Sequence, residues 1–124
     1  MKFKMNRFII IFLCAISLPA ISVTPPSPEG LSQKAIFNNW LIDRCIGKID
    51  SESKLMDDAF KSAAVWLELS KLPVEAFNEG DVLIEEYLRL KLDGSVKSNY
   101  NVLKCTLLLS SGEAISIFDK YYTP

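Results

Sequence analysis

The stretch Ser32–Ile49, SQKAIFNNWLIDRCIGKI, decides the fold class. Its apolar residues Ile36, Phe37, Trp40, Leu41, Cys45 and Ile49 recur every three to four positions, a spacing that a helix collects on one face. A first helix with Cys45 on its buried side is the expectation.

Downstream, Gly47 and the polar run Asp50-Ser51-Glu52-Ser53 read as a turn. Asp57 and Asp58 follow early in the next periodic segment, where carboxylates suit the positive end of a helix. That second helix is expected from Lys54 to Leu69, with Ala59, Phe60, Ala63, Trp66 and Leu67 as its stripe. The two alanines leave room for another helix to approach closely. Pro73 suits the first turn of a third helix running to about Leu92, because its missing N–H would be unpaired there anyway. Gly80 lies inside that helix at a cost of about 1 kcal/mol relative to alanine, which makes a break between Asn78 and Asp81 an open alternative. Val82, Leu83, Tyr87, Leu88 and Leu90 carry the stronger half.

Asp93-Gly94-Ser95 supplies turn chemistry. The apolar segment from Tyr100 to Leu109 could be a buried helix or a strand, and helix is preferred because every neighbour is helical. Ser110 and Glu113 have the spacing of a capping box for a last short helix through Ile115, Phe118 and Tyr121. The expected fold is therefore all-α, a small single-domain bundle of four to five helices over residues 31–124. Pro25, Pro26 and Pro28 make residues 23–30 a Pro-rich, extended tether.

The amino terminus belongs to another category. Lys2, Lys4 and Arg7 precede an uncharged apolar run from Phe8 to Leu18, the arrangement of a secretory signal peptide. The run is shorter than the roughly 18 residues a membrane span requires, and Pro19 interrupts it. Ala20-Ile21-Ser22 offers the small residues that a signal peptidase reads, so residues 1–22 are expected to be cleaved near Ser22 and the product to be periplasmic. Cys14 lacks the small preceding residues of a lipidation site.

Cleavage changes the charge. The whole chain is at −1, but without Lys2, Lys4 and Arg7 it keeps 11 basic residues against 15 acidic ones, a net charge of −4. An acidic protein of this size argues against nucleic acid or an anionic membrane as partner. Two cysteines remain, Cys45 and Cys105, in a compartment that permits oxidation. A disulfide closing a loop of about 60 residues would stabilise the fold by about 4 kcal/mol; two buried free thiols are the alternative.

Catalytic chemistry is scarce. There is no histidine, which removes Ser-His and Cys-His nucleophile pairs and the commonest metal ligand. The cysteine spacing makes neither a C-x-x-C redox pair nor a zinc site, and the five glycines form no phosphate loop, so no cofactor or metal is expected. Glu68, Glu75, Glu79, Asp81, Glu85 and Glu86 fall mainly opposite the apolar stripes and read first as a solvated face. An acidic docking surface and a carboxylate-dependent hydrolase remain as alternatives. Trp40, Trp66, Tyr87 and Tyr100 read as core, and Tyr121-Tyr122 as a frayed terminus.

The order of features then becomes informative: the export signal, Cys45 in the first helix, Ala64-Val65-Trp66-Leu67-Glu68, Leu83-Ile84-Glu85-Glu86-Tyr87-Leu88, and Leu103-Lys104-Cys105-Thr106-Leu107-Leu108-Leu109-Ser110. Together they resemble the fourth family of type VI secretion amidase immunity proteins, from about Trp40 to Phe118. Leu107-Leu108-Leu109 departs from the family, which usually carries aromatic or histidine residues there. The resemblance implies a periplasmic, all-helical inhibitor of a cysteine–histidine peptidase that cuts the peptidoglycan stem between D-glutamate and diaminopimelate. It also implies a homodimer and a protruding loop that plugs the cleft of the cognate amidase effector. The turn from Leu92 through Asp93, Gly94, Ser95, Val96, Lys97 and Ser98 is the expected plug. A structural or chaperone-like envelope protein without an enzyme target is the competing expectation.

Overall fold

The computed structural model describes residues 15–124. The cationic start and most of the apolar run expected of the export signal, Cys14 included, lie outside the described residues. Residues 15–27 are exposed and carry no regular structure. Among the described residues no helix is long and apolar enough to cross a membrane.

The tether departs from the expected extended form at its end. Pro28–Gly30 makes one 3₁₀ turn, closed by a bond from Leu31 N–H to the Pro28 carbonyl, and packs against the second helix. Pro28 brings a φ already suited to a helical turn, and the Ser27 hydroxyl donates to Glu29 across it.

Five α-helices follow: α1 (Gln33–Gly47), α2 (Lys54–Leu69), α3 (Val74–Arg89), α4 (Asn101–Leu109) and α5 (Gly112–Tyr121). Serines start three of them. Ser32, Ser53 and Ser111 sit in extended conformation and accept from the N–H groups of Ala35, Met56 and Ala114 at 3.1–3.2 Å, each satisfying one otherwise unpaired donor. The last helix is thus capped one residue later than the expected Ser110–Glu113 box. The Ser111 hydroxyl also donates to the Leu108 carbonyl at 2.7 Å, which holds it in place between α4 and α5.

Helix α1 occupies the middle, packed against α2, α3 and α4, while α3 also carries α4 and α5. The face expected of α1 is the one buried: Ile36, Phe37, Trp40, Leu41 and Cys45 are all at most 4% exposed. The helix stops at Gly47, short of Ile49. A Cβ at Gly47 would overlap the Phe60 ring of α2, so the end of α1 and the start of α2 meet without a side chain between them. Ala59 and Ala63 are the buried residues of α2, as close packing requires. Its larger residues lie at the edge; Leu67 is half exposed, and the Trp66 indole N–H donates to Asp43 at 2.8 Å. Partial burial raises the pKa of Asp43, and the bond from Trp66 opposes that rise.

Helix α3 runs unbroken through Gly80 and ends at Arg89, three residues before the expected Leu92. The reason for its continuity is tertiary. A Cβ at Gly80 would approach the Trp40 ring at 2.8 Å and Leu41 at 3.1 Å, so the glycine admits α1 rather than breaking α3. Around this crossing Phe37, Trp40, Phe77 and Phe118 pack with ring centroids 4.8–6.2 Å apart. The expected stripe of α3 is shifted: Val82 and Leu90 are exposed, whereas Ala76, Phe77 and Ile84 are buried with Leu83.

The segment that was ambiguous between helix and strand is helix α4, with Cys105 and Leu108 fully buried and Leu103 and Leu107 half exposed. Cys105 is bonded to Cys45, Cα to Cα 5.6 Å, which settles the choice between disulfide and free thiols and joins α4 to the last turn of α1. Next to it lies Lys104, 5% exposed, whose ammonium donates to the Leu88 carbonyl and to Asn101 Oδ1, each at 3.2 Å. The carboxyl terminus is not frayed. Tyr121 donates to Glu79 at 2.5 Å, Lys120 pairs with the same carboxylate at 2.7 Å, and Tyr122 stacks on Phe118. In α5 the buried residues are Ala114, Ile117 and Phe118, with Ile115 outside.

Three outcomes follow from this packing. Reduction of Cys45–Cys105, or Cys105→Ala, removes about 4 kcal/mol and lowers the melting temperature by about 20 °C, read from thermal unfolding with and without reductant. Lys104→Ala leaves the Leu88 carbonyl without its donor and costs about 1–3 kcal/mol in urea unfolding. Glu79 has its pKa lowered below 4.5 by the hydrogen bonds from Lys120 and Tyr121. Its contribution is therefore present above the ordinary glutamate value and lost as pH falls through the lowered one. Melting curves of the wild type and Glu79→Gln should differ at neutral pH and converge in acid.

Candidate functional site

Between the end of α3 and the start of α4 the chain runs eleven residues, 90–100, without regular structure. A connection of this length exceeds the usual spacing between packed helices, and loops of this kind commonly carry function. Asp93, Gly94, Ser95, Val96, Lys97 and Ser98, the residues expected to form the plug, are contiguous here and all exposed; Val96 is 70% exposed. Neither Asp93 nor Lys97 takes part in an ion pair or hydrogen bond among the described residues. Residues 93–98 thus offer one anion, one cation and one apolar side chain to solvent.

Its base is held by residues that the sequence reading assigned elsewhere. Tyr100 immediately precedes α4 in a left-handed conformation, φ 53° and ψ 35°. For a bulky residue that conformation costs on the order of 1–3 kcal/mol and persists only where its surroundings enforce it. Its N–H donates to Ser98 Oγ at 3.1 Å, and its hydroxyl donates back to the Val96 carbonyl. The ring passes against Gly94, where a Cβ would meet Tyr100 Cζ at 2.7 Å. Lys104, one turn into α4, ties the other side of the base to the Leu88 carbonyl at the end of α3. Tyr100 read as a core aromatic because its neighbours are apolar. A lysine between Leu103 and Cys105, in a segment expected to be buried, was the available sign that something there needs a donor.

Of the acidic residues, Glu68, Glu75 and Glu86 lie exposed as a solvated face requires, and Glu79, Asp81 and Glu85 are paired. Asp81 accepts from Nε and Nη2 of Arg44, each at 3.1 Å, and lies 3.6 Å from Lys48, and Glu85 pairs with Lys48 at 2.8 Å. With Glu79 bound to Lys120, three of the six carboxylates tie helices together. The shift at Glu79 is downward, which keeps it ionised and is the opposite of what a general acid requires. Among the described residues no group of histidine, cysteine and carboxylate side chains could hold a metal ion. Among the apolar surfaces left open are a groove between α3 and α5 lined by Val82, Leu83, Glu86 and Ile117, and the outer face of α4 with Val102, Leu103 and Leu107.

The sequence matches the family model described as type VI secretion system (T6SS), amidase immunity protein, over residues 35–118. No curated protein matches it. A chain in the crystal structure of the effector Tae4 from Salmonella typhimurium with the immunity Tai4 from Enterobacter cloacae is 42% identical, covering 77% of this chain and 98% of that one at a TM-score of 0.71. The Tae4–Tai4 complex from Enterobacter cloacae gives the same identity at 77% and 97% coverage and a TM-score of 0.70. The Tae4/Tai4 system from Salmonella typhimurium aligns at 25% identity over 82% of this chain and 100% of that one, with a TM-score of 0.73. The stretch matched by the family model, residues 35–118, runs from within α1 to within α5 and contains the positions of Cys45, Cys105 and the loop. This chain belongs to the family of type VI secretion system amidase immunity proteins and is an inhibitor rather than an enzyme.

Proposed function

We propose that this protein is exported to the periplasm, where it binds a peptidoglycan amidase effector and fills the enzyme's cleft with the loop Leu92–Ser98. In this reading residues 1–22 are the export signal, cleaved near Ser22, residues 23–30 tether the domain, and residues 31–124 form the inhibitor. The observation that carries it is the pairing of an exposed loop, chemically unengaged at Asp93 and Lys97, with a base that is hydrogen-bonded and packed.

The physical argument is steric. A protein that fills a catalytic cleft excludes substrate without any chemistry of its own, and it does so most tightly when the inserted segment loses little freedom on binding. Asp93 and Lys97 would fix the register through charge, and Val96 would supply apolar contact area between them. The location follows from the target, since a wall-cutting enzyme acts where peptidoglycan is. The homodimer implied by the family resemblance is part of the same proposal, with the exposed apolar face of α4 as available surface.

The test uses the Tae4 effectors of Enterobacter cloacae and Salmonella typhimurium, directed to the periplasm of cells producing this protein. The wild type should protect, and the same chain without residues 1–22 should not, although it binds in vitro. Asp93→Ala with Lys97→Ala should weaken binding by at least about tenfold, as loss of an interface anchor does, with the melting temperature unchanged. Full protection by the double variant would exclude the loop as the plug.

A further inference from the structure

We infer that Tyr100 is a positioning residue for inhibition: it holds the Leu92–Ser98 loop in its binding shape through Val96 and Gly94 without itself needing to touch the amidase. The inference rests on the reading of that loop as the segment that enters the cleft. Three independent contacts from this one residue converge on the loop. The phenol donates to the Val96 carbonyl, the backbone N–H donates to Ser98 Oγ, and the ring occupies the space that a side chain at position 94 would need.

These contacts close a small circuit. The hydroxyl reaches back four residues and the amide two, so the segment from Val96 to Tyr100 is tied at both ends, and Gly94 is pressed against the same ring. The circuit exists because Tyr100 adopts φ 53°, which turns its ring back over the loop instead of along α4. Two anchors in the core fix where Tyr100 stands: the buried Lys104 bound to the end of α3, and the neighbouring Cys105 bonded to α1. A loop held in this way is competent before it meets its target. Without the circuit only a fraction of molecules would carry the competent shape, and apparent affinity falls by that fraction, chiefly through the association rate.

The hydroxyl is removable without removing the ring, so Tyr100→Phe separates positioning from packing, and Gly94→Ala attacks the same contact from the other side. Lys97 lies exposed within the loop and gives a readout independent of any effector, namely the rate of trypsin cleavage after it. Both variants should be cut there about tenfold faster than wild type while melting at the same temperature, and should associate about tenfold more slowly with the Enterobacter cloacae Tae4 effector. Unchanged cleavage at Lys97 in both variants would overturn the inference whatever the effector does. Faster cleavage with unaltered association, while Asp93→Ala with Lys97→Ala weakens binding, would also overturn it, because the loop would then act without being positioned. If the double variant binds like wild type, the loop reading itself is lost and the positioning role goes with it. A drop in melting temperature matching the loss of binding would reduce Tyr100 to a scaffold residue.

Discussion

The bond between Cys45 and Cys105 is the constraint on which the rest depends. Helix α4 has nine residues, too few to be stable in isolation, and an irregular stretch of eleven residues precedes it. Without a fixed point, both would drift relative to α3. The disulfide supplies that point in the last turn of α1, the helix that packs against α2, α3 and α4. Once Cys105 is placed, Lys104 beside it meets the end of α3, and Tyr100, at the start of the same helix, meets the loop. The order of dependence therefore runs from core to base to loop.

A domain of this size has little apolar interior with which to stabilise a long exposed loop. The structure compensates in two ways. It concentrates close packing at the crossing of α1 and α3, where Gly80 lets the Trp40 ring lie against the helix backbone and four aromatic rings gather. It also places ion pairs at the helix edges, Arg44 and Lys48 with Asp81 and Glu85, Lys120 with Glu79. Exposed pairs contribute little to stability, but these cross between helices and limit how the elements slide. The loop is thus mounted on a packed frame, with Asp93, Val96 and Lys97 exposed.

Much of the frame was legible in the sequence. The start and end of α2, the burial of Cys45 and Trp40, the helical state of the Leu-rich segment and the position of the loop all followed from periodicity, turn residues and composition. The misreadings share a cause. The stripe of α3, the continuity through Gly80, the cap at Ser111 and the attached Tyr121 depend on which neighbour each helix meets, and one helix's own period does not contain that information. Tyr100 and Lys104 were missed as braces for the same reason, since a tyrosine and a lysine in an apolar stretch have no fixed role until the opposing carbonyls are known.

The sequence by itself determined the class of molecule: helical by its 3.6-residue period, and without histidine and so without the commonest hydrolytic chemistry. It also marked Asp93-Gly94-Ser95 as a turn between two helices. Only the tertiary structure decided that the two cysteines meet, that Gly80 is a contact rather than a break, and that the loop is held by Tyr100 and Lys104. Each of these is a relation between residues far apart along the chain or on different helices. Local spacing fixes which face of a helix is apolar, whereas the register between helices is fixed by how those faces fill space together.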